Sequence, residues 1–342
     1  MLETLFKRMD SVTQIVLGAA VGEKVLGKKI GNRALLYGAI AGTIPDLDVY
    51  VGKLFDPITA IEIHRGFSHS ILFFVLLSPL LGWLTSKIER KSGVGFKQAT
   101  WFWFLGLLTH ALLDAFTTWG TQLFYPFDIR LSVHSIFVID PLYTLPFLFC
   151  LLMVFRFKRN NPKRQKWNNL GLIISTSYLM LTVLVQQTVR LKFEDALKRE
   201  NIEYTRKIVK PSPFNIILWN TVIETEDGYY IGDYSFFDSQ PITFDFYPKQ
   251  EELITDIQTE KVITQLQWIS EGWWLITEKE GKLFLNDIRF GLLSTNRNNP
   301  EFSFSYELRN ENGSVQAIEV ENKSKGRAKQ LLSELWKRIK GN

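Results

Sequence analysis

The stretch of residues 167–189 constrains this chain most, because its 23 consecutive positions carry no ionisable side chain. A helix of about 20 apolar residues is long enough to cross the roughly 30 Å of hydrocarbon in a bilayer. Residues 70–86, 98–113 and 141–155 are shorter runs of the same kind. One such run is typical of a soluble core helix, but four within the 120 positions 70–189 favour a membrane domain.

Two weaker apolar segments, near residues 11–23 and 34–46, precede these runs. Each is interrupted by Gly and a few polar residues, so each is either a short span or half of a pair that enters the membrane and returns. The sequence therefore predicts an α+β protein in which residues 1–190 form an α-helical multispan membrane bundle of about 4–6 spans.

Residues 191–342 have the pattern of a soluble, β-rich domain. Turn dipeptides at 227–228 (Asp-Gly), 280–281 (Glu-Gly) and 312–313 (Asn-Gly) each separate runs of strand-like composition. This arrangement predicts a meandering antiparallel sheet. Near residues 324–340, apolar side chains recur at helical spacing, which predicts a C-terminal amphipathic helix that packs on its own sheet or on the membrane surface.

Basic residues are divided unevenly between the loops of the predicted membrane domain. Fourteen Lys and Arg lie in the segments 24–33, 87–97 and 156–166. The intervening loops contribute only Lys53, Arg65 and Arg130. Cytoplasmic loops are rich in Lys and Arg, so we expect a multi-pass inner membrane protein whose basic-poor side, with residues 190–342, is extracytoplasmic.

The remaining composition excludes several classes of protein. The net charge is +5, but residues 1–190 carry +9 and the rest −4, so the basic residues follow the membrane topology. We therefore expect the lipid bilayer, and no nucleic acid, as a partner. A single cysteine, Cys150, excludes a disulfide framework and a CxxC zinc motif.

His110 and Asp114 lie four positions apart in an apolar run, and on a helix they would share one face. Together they can bind a metal ion. Alternatively, the carboxylate accepts a hydrogen bond from the His ring and fixes its tautomer. A buried His–Asp pair that holds the bundle together is the third interpretation.

Two further clusters lie in short polar segments at predicted membrane boundaries. In HRGFSHS at 64–70, Gly66 allows a turn, so that His64 and His69 can converge as ligands. In PDLD at 45–48, Pro45 disfavours helix at the residue before it, and two carboxylates follow in the turn. Such a pair suits a divalent metal, although it is also common where a helix ends.

Ionisable side chains at a membrane boundary are costly and are usually functional. All four His of the chain lie on the basic-poor side, within residues 64–134. The acidic residues expected on the same side are Asp10, Asp46, Asp48, Asp114 and Asp140. His and Asp that converge within a helical bundle are a common way to build a metal site. We interpret His134 as a surface or supporting residue and Asp140 as a helix cap.

Four stretches together resemble the membrane-bound metal-dependent hydrolases of the YdjM type. They are MDSVTQIVLGAAVGE at 9–23, GTIPDLD at 42–48, HRGFSHS at 64–70 and THALLDAFTTWGTQLFYPF at 109–127. The resemblance covers roughly residues 9–145 and implies a bacterial multipass membrane protein with a metal site. Family members with a His in the first motif would match Gln14 of this chain, so we do not expect Gln14 to be a ligand.

The leading hypothesis is a membrane-embedded metal hydrolase at the extracytoplasmic face. The expected core ligands, completed by Asp46 or Asp48, are His64, His69, His110 and Asp114. Zn²⁺ or a related first-row divalent metal is expected, because imidazole together with carboxylate suits it.

Asp48 or Asp10 is the expected general base, and Arg65 is the candidate to bind an anionic group of the substrate. A site at the bilayer edge favours an amphiphilic or lipid-linked substrate. The rival hypothesis is a non-enzymatic membrane scaffold or sensor with a structural His/Asp or metal network. A transporter is a third and weaker alternative, because the runs 70–86 and 141–155 offer no polar path.

Overall fold

The computed structural model describes residues 2–293, 300–311, 314–320 and 325–342, and the side chains of residues 2–10, 311, 325 and 326 lie outside this description. The helices that precede the first strand are α1 Leu2–Ile30, α2 Asn32–Ala41, α3 Asp48–Gly52, α4 Pro57–Ile63, α5 Ile71–Ile88, α6 Phe96–Ala115, α7 Pro141–Val154 and α8 Pro162–Arg199. The strands are β1 Arg206–Pro211, β2 Leu218–Glu224, β3 Gly228–Ser235, β4 Phe244–Pro248, β5 Trp274–Lys279, β6 Lys282–Leu292, β7 Phe302–Glu311 and β8 Ser314–Glu319. Helix α9, Lys261–Ile269, lies between the two groups of strands, and α10, Lys325–Ile339, follows them.

The predicted α+β class is confirmed, with helices first and sheets second. In the described residues, β1–β4 and β5–β8 form two four-stranded antiparallel sheets, each in sequential order. The turns predicted at 227–228 and 280–281 lie where β2 meets β3 and where β5 meets β6. The turn at 312–313 falls outside the described residues. The predicted C-terminal helix is present as α10.

The number of membrane spans predicted from the sequence is too high. Of the described helices, two are long and apolar enough to cross a bilayer, namely α5 and α8. Helix α7 is apolar but has only 14 residues, which reach about 21 Å. Helix α6 has 20 residues, yet it carries the buried polar residues His110 and Asp114. The apolar runs of the sequence therefore form helices that differ in length and in the number of polar side chains they bury in the bundle.

The three basic segments meet at one end of the helical domain. Segment 24–33 was expected to be a loop, but most of it is helical, because α1 continues to Ile30. Lys29 Nζ donates to the Gly93 carbonyl at 2.6 Å, Arg33 Nη1 lies 3.1 Å from Glu89 Oε1, and Arg159 Nη1 donates to the Lys29 carbonyl at 3.0 Å. These contacts place the basic segments on the same side of the bundle.

The β-rich part packs against the other end of the helical domain. Ile58 of α4 is buried in one core with Ile263 and Leu266 of α9. In the first sheet, Val209 and Trp219 are buried against the last turns of α8. This helix continues without a break to Arg199. The sheets and the basic segments thus lie at opposite ends of the bundle.

Glycines allow α1 and α2 to cross in backbone contact. A Cβ atom at Gly38 would lie 2.1 Å from the Gly18 carbonyl oxygen, and one at Gly42 would lie 2.3 Å from the Gln14 carbonyl oxygen. Small residues let helices in membrane proteins approach this closely. The crossing brings the end of α2, and the turn that follows it, against the part of α1 that contains Gln14.

Candidate metal centre

Four side chains converge at the end of the bundle that faces the sheets. They are Asp46, His69, His110 and Asp114, and each offers a ligand atom within 4.8 Å of the others. Both His rings are fully buried and the Asp114 side chain is 2% exposed, whereas that of Asp46 is 23% exposed. The cluster is therefore closed on three sides and open at Asp46.

Five of the six distances between these ligand atoms are close to those of a tetrahedral metal site. The Asp46 Oδ1 atom lies 3.4 Å from the Nε2 atoms of both His69 and His110. The Asp114 Oδ2 atom lies 3.3 Å from the same two nitrogens, which are 3.2 Å apart. Ligands about 2.0–2.1 Å from a tetrahedral metal lie about 3.3–3.4 Å from one another. The five distances agree with that spacing, and the atoms of the sixth pair, Asp46 and Asp114, lie within 4.8 Å of each other.

Neighbouring acceptors fix the tautomers of the two His rings. His110 Nδ1 lies 2.8 Å from the Gly42 carbonyl oxygen, which can only accept, so Nδ1 carries the proton. His69 Nδ1 lies 2.9 Å from Ser68 Oγ, and that hydroxyl donates to Asp48 Oδ2 at 2.7 Å. It follows that His69 also carries its proton on Nδ1. In the neutral rings both Nε2 atoms therefore present lone pairs to the centre of the cluster.

The cluster consequently brings together four acceptors without a donor of its own. Among the described residues, the buried Asp114 Oδ2 atom has no hydrogen-bond partner. A buried acceptor left in this state costs about 1–3 kcal/mol, and more when it is charged. A cation at the centre would satisfy all four atoms at once. The residues present thus fit a divalent metal ion of the kind that imidazole and carboxylate bind.

Local sequence explains how each ligand reaches the centre. His110 and Asp114 lie one turn apart on α6, as their spacing predicts. Asp46 lies in the 3-10 turn Pro45–Leu47 that follows α2. His69 ends the 3-10 turn Phe67–His69, and the chain reaches it through Arg65, which has a φ of +63°. The segment 64–70 is therefore a compact loop, and α5 begins only at Ile71.

Asp48 lies beside the cluster and supports it. Its Oδ2 atom accepts hydrogen bonds from the Arg65 backbone N–H at 3.1 Å and from the Ser68 hydroxyl, and lies 3.5 Å from His69 Nδ1. Burial raises the pKa of Asp48, but the hydrogen bonds from His64 and His69 outweigh it and hold that pKa below its usual range. Asp48 thus stays ionised and orients the His69 ring.

The electrostatics of His69 favour a positive charge at the centre. Burial lowers the pKa of this imidazole, but the hydrogen bonds to Asp114, Asp46 and Asp48 outweigh that effect and raise the pKa to about 9. Where no metal is bound, the His69 imidazole would therefore take up a proton at neutral pH, and the neighbouring carboxylates would stabilise that charge.

Other residues expected in the site do not belong to the cluster of four side chains. His64 bonds through Nδ1 to Asp48 Oδ1 at 2.9 Å, and its ring centroid is 6.0 Å from that of His69. Arg65 is buried, with Nη1 donating to Thr117 Oγ1 at 3.1 Å and Nη2 lying 3.4 Å from Asp114 Oδ1. The side chain of Asp10 falls outside the described residues.

The two residues interpreted as supporting or capping are not part of the cluster either. The Asp140 carboxylate accepts from the Leu142 and Tyr143 amides at the start of α7, which is the predicted cap. His134 Nδ1 lies 3.1 Å from Ser132 Oγ. Burial and the nearby Arg289 lower the pKa of His134 to about 3, so it is neutral.

Sequence reasoning did not find the supporting roles of Gln14 and Gly42. The buried Gln14 side chain donates through Nε2 to Asp114 Oδ1 at 3.0 Å and to the His110 carbonyl at 3.3 Å. The resemblance of the first motif singled out Gln14, but only as a residue that would not be a ligand. The role of Gly42 belongs to its backbone carbonyl and leaves no trace in the residue type.

The chain is similar to two bacterial proteins. The chain is 24% identical over 240 residues to the Bacillus subtilis (strain 168) protein YfhP, described as uncharacterized, covering 66% of this chain and 68% of the relative. It is 32% identical over 106 residues to the Escherichia coli (strain K12) inner membrane protein YbcI, covering 31% of this chain and 57% of that protein. No solved structure matches the chain.

The family match extends over all of the ligands. The sequence profile described as YdjM inner membrane protein matches residues 9–189, which is more than half of the chain and includes Gln14 and the four clustered side chains. This match and the buried His/Asp cluster concern the same part of the molecule. The chain is a member of the YdjM inner membrane protein family.

Proposed function

We propose that this protein is a membrane-embedded, metal-dependent hydrolase with Asp46, His69, His110 and Asp114 as its metal ligands. The observation that carries the proposal is the convergence of four acceptor atoms, five of whose six mutual distances are 3.2–3.4 Å. A first-row divalent metal such as Zn²⁺ is the ion that this donor set favours.

A bound ion of this class supplies a Lewis acid that polarises an ester or phosphoester and activates water near neutral pH. The chain's own contribution is to hold the ligands. Gly42 and Asp48 fix the His tautomers, Gln14 and Arg65 both hold Asp114 Oδ1, and Asp114 Oδ2 is left for the ion.

Access to the reacting centre is at Asp46, since this is the one ligand of the four with substantial exposure. A catalytic zinc site keeps a position for water or substrate, and it can expand to five ligands. We expect the Asp46 side of the site to provide that position. Asp48 has its oxygens engaged by several donors, which favours a positioning role over that of a general base.

The structure also offers an argument for the non-enzymatic alternative. Four protein ligands in a tetrahedron form a closed shell, which is typical of structural metal sites. On that alternative the ion would pin α6 to the turns 45–47 and 67–69, and the protein would be a scaffold or sensor. The two functions differ in whether a small external ligand can reach the ion.

We further propose that the centre and the β-rich part lie outside the cytoplasm. The support is that the three basic segments meet at one end of the bundle, whereas the cluster and the sheets lie at the other. The basic end of a membrane protein is normally cytoplasmic. The proposed substrate is then an amphiphilic or lipid-linked molecule that is reached from the outer face.

The test is metal analysis of the purified protein followed by cobalt substitution. We expect one divalent ion per chain, lost in His69→Ala. Adding azide to the Co²⁺ form should change the visible spectrum if a position is open, and the loaded protein should hydrolyse a p-nitrophenyl ester or phosphodiester. One tightly bound ion that azide cannot reach, with no hydrolysis, would favour the scaffold. No bound ion would overturn the hydrolase and leave the His/Asp network as a metal-free scaffold.

A further inference from the structure

The one open side of the metal cluster is bordered by exposed apolar side chains. Asp46 is followed on α3 by Tyr50 and Val51, which are 65% and 50% exposed. In the turn that carries His69, the Phe67 ring centroid lies 5.7 Å from that of Tyr125. We name as the apolar rim the exposed apolar side chains of these two parts of the site, namely Leu47, Tyr50, Val51, Leu54, Phe124 and Phe127.

The rim lies at the level where a membrane span begins. The Ile71 amide, in the first turn of α5, donates to the Leu123 carbonyl at 3.0 Å, which places Phe124 beside that turn. Along α5, Val75 and Leu76 are exposed as lipid-facing residues would be. Because α5 is one of the two candidate spans, the rim lies in the interfacial layer of the bilayer.

The composition of the rim suits that layer. Leu54 is 82% exposed and Phe127 is 69% exposed, values that are costly in water for side chains of this size. The Lys53 Nζ lies 4.9 Å from the Tyr50 ring centroid. A lysine at a membrane interface can keep its stem in lipid while its charge reaches the head groups. Contiguous apolar patches on a protein surface mark sites of interaction.

Within the described residues, the β-rich part leaves the rim side chains exposed. It contacts the neighbouring segments instead, through Gln265 to Glu62 of α4 at 2.8 Å and through Trp268 to Asp128 at 2.9 Å. Asp128 directly follows Phe127 of the rim, and the first turn of α5 is bonded to Leu123, which precedes Phe124 of the rim. The occupant that matches both the chemistry and the level is the lipid of the same membrane.

We propose that the metal cluster opens sideways into the bilayer through the apolar rim, so that its substrate is an amphiphile whose polar group reaches Asp46 while its chain lies on the rim. The amphiphile is defined by its chemistry, a metal-binding oxygen head group with an alkyl chain. The substrate part of this inference rests on the proposed function, whereas the lipid contact of the rim does not.

The lipid contact is tested with single spin labels in a Cys150→Ala background, since Cys150 is the one native cysteine. Labels are placed at Leu54 and Phe127, with Leu76 on α5 as the lipid-facing control and Glu203 as the aqueous control. In vesicles we expect the rim labels to collide with oxygen and be protected from a nickel chelate, as at Leu76. Values like those at Glu203 would overturn the proposal, and so would protection from both reagents, which would indicate cover by protein.

The substrate class is tested on the Co²⁺-loaded protein with two hydroxamates that share a metal-binding group. Octanohydroxamate should bind at least about tenfold more tightly than acetohydroxamate, because its chain adds apolar contact. Leu54→Ser together with Phe127→Ser should reduce this ratio without changing the cobalt content, whereas the matched variant Leu76→Ser should not.

An equal ratio in the rim variant and the wild type would overturn the lateral opening while leaving the metal site intact. A protein that binds no cobalt would instead overturn the proposed function and with it the substrate class, and the spin labels would still decide the lipid contact. The two failures are therefore distinguishable.

Discussion

Gln14 and Asp114 are joined by a buried hydrogen bond in which Gln14 Nε2 donates to Asp114 Oδ1 at 3.0 Å. The bond links α1 to α6 and engages one carboxylate oxygen, so the other oxygen, Oδ2, faces the two His rings. A glutamine at this position therefore serves the site without being one of its four ligands. The orientation of Asp114 therefore depends on a helix that supplies none of the four candidate ligands.

Gln14→Leu should weaken metal binding without abolishing it. The substitution removes the donor to Asp114 Oδ1, and residues that orient a ligand typically contribute about 10–100-fold to affinity. Competition with a chelator of known affinity measures the change. An affinity equal to that of the wild type would mean that Arg65 alone orients the carboxylate.

Asp114→Asn should insert and fold normally yet lose most of its bound metal. Asparagine keeps the shape and can accept a bond from Gln14, but it brings no charge to the cluster. Metal content per chain and the thermal midpoint are the two measurements. Full metal content, or destabilisation of about 3–5 kcal/mol as expected for a broken buried ion pair, would favour the structural role.

His69→Ala and His64→Ala form a matched pair at one loop. His69 is fully buried within the cluster, whereas His64 is bonded to Asp48 at its side. We expect His69→Ala to remove the metal and His64→Ala to retain one ion per chain, with an affinity reduced at most by the loss of support for Asp48. Loss of the ion in both variants would restore His64 as a ligand, as the sequence suggested.

Gly38→Ala should destabilise the helical domain by about 1–3 kcal/mol, because the added methyl group overpacks a closed crossing. Its Cβ would meet the Gly18 carbonyl oxygen at 2.1 Å. Gly95→Ala is the control, since a Cβ there meets nothing within 4 Å. Thermal unfolding in detergent compares the two, and equal midpoints would mean that the helices can separate at no cost.

A reporter that is active only outside the cytoplasm should be active when fused after Asn342. The same reporter fused after Ser92, within a basic segment, should be inactive. The expectation follows from the opposite placement of the basic segments and the sheets. Activity at Ser92 with silence at Asn342 would place the metal centre on the cytoplasmic side.

Most of the secondary structure around the site could be predicted from local sequence patterns. The spacing of His110 and Asp114 put them on one face of α6, because helical periodicity depends on neighbouring residues alone. The turn dipeptides at 227–228 and 280–281 marked the ends of strands for the same reason. The count of spans failed, since a run of uncharged residues does not reveal how long its helix is or what it packs against.

The composition of the site was decided by contacts between distant segments. Sequence spacing treated His64 and His69 alike, but the turn through Arg65 sends one ring to Asp48 and the other to the cluster. Gly42 acts through a carbonyl that only the α1–α2 crossing brings to His110. Residue types and their spacing were therefore enough to name the chemistry of the candidate site. The choice among its ligands required the packing of the helices. A metal site is defined by distances of a few ångströms, and these join segments that lie far apart in the chain.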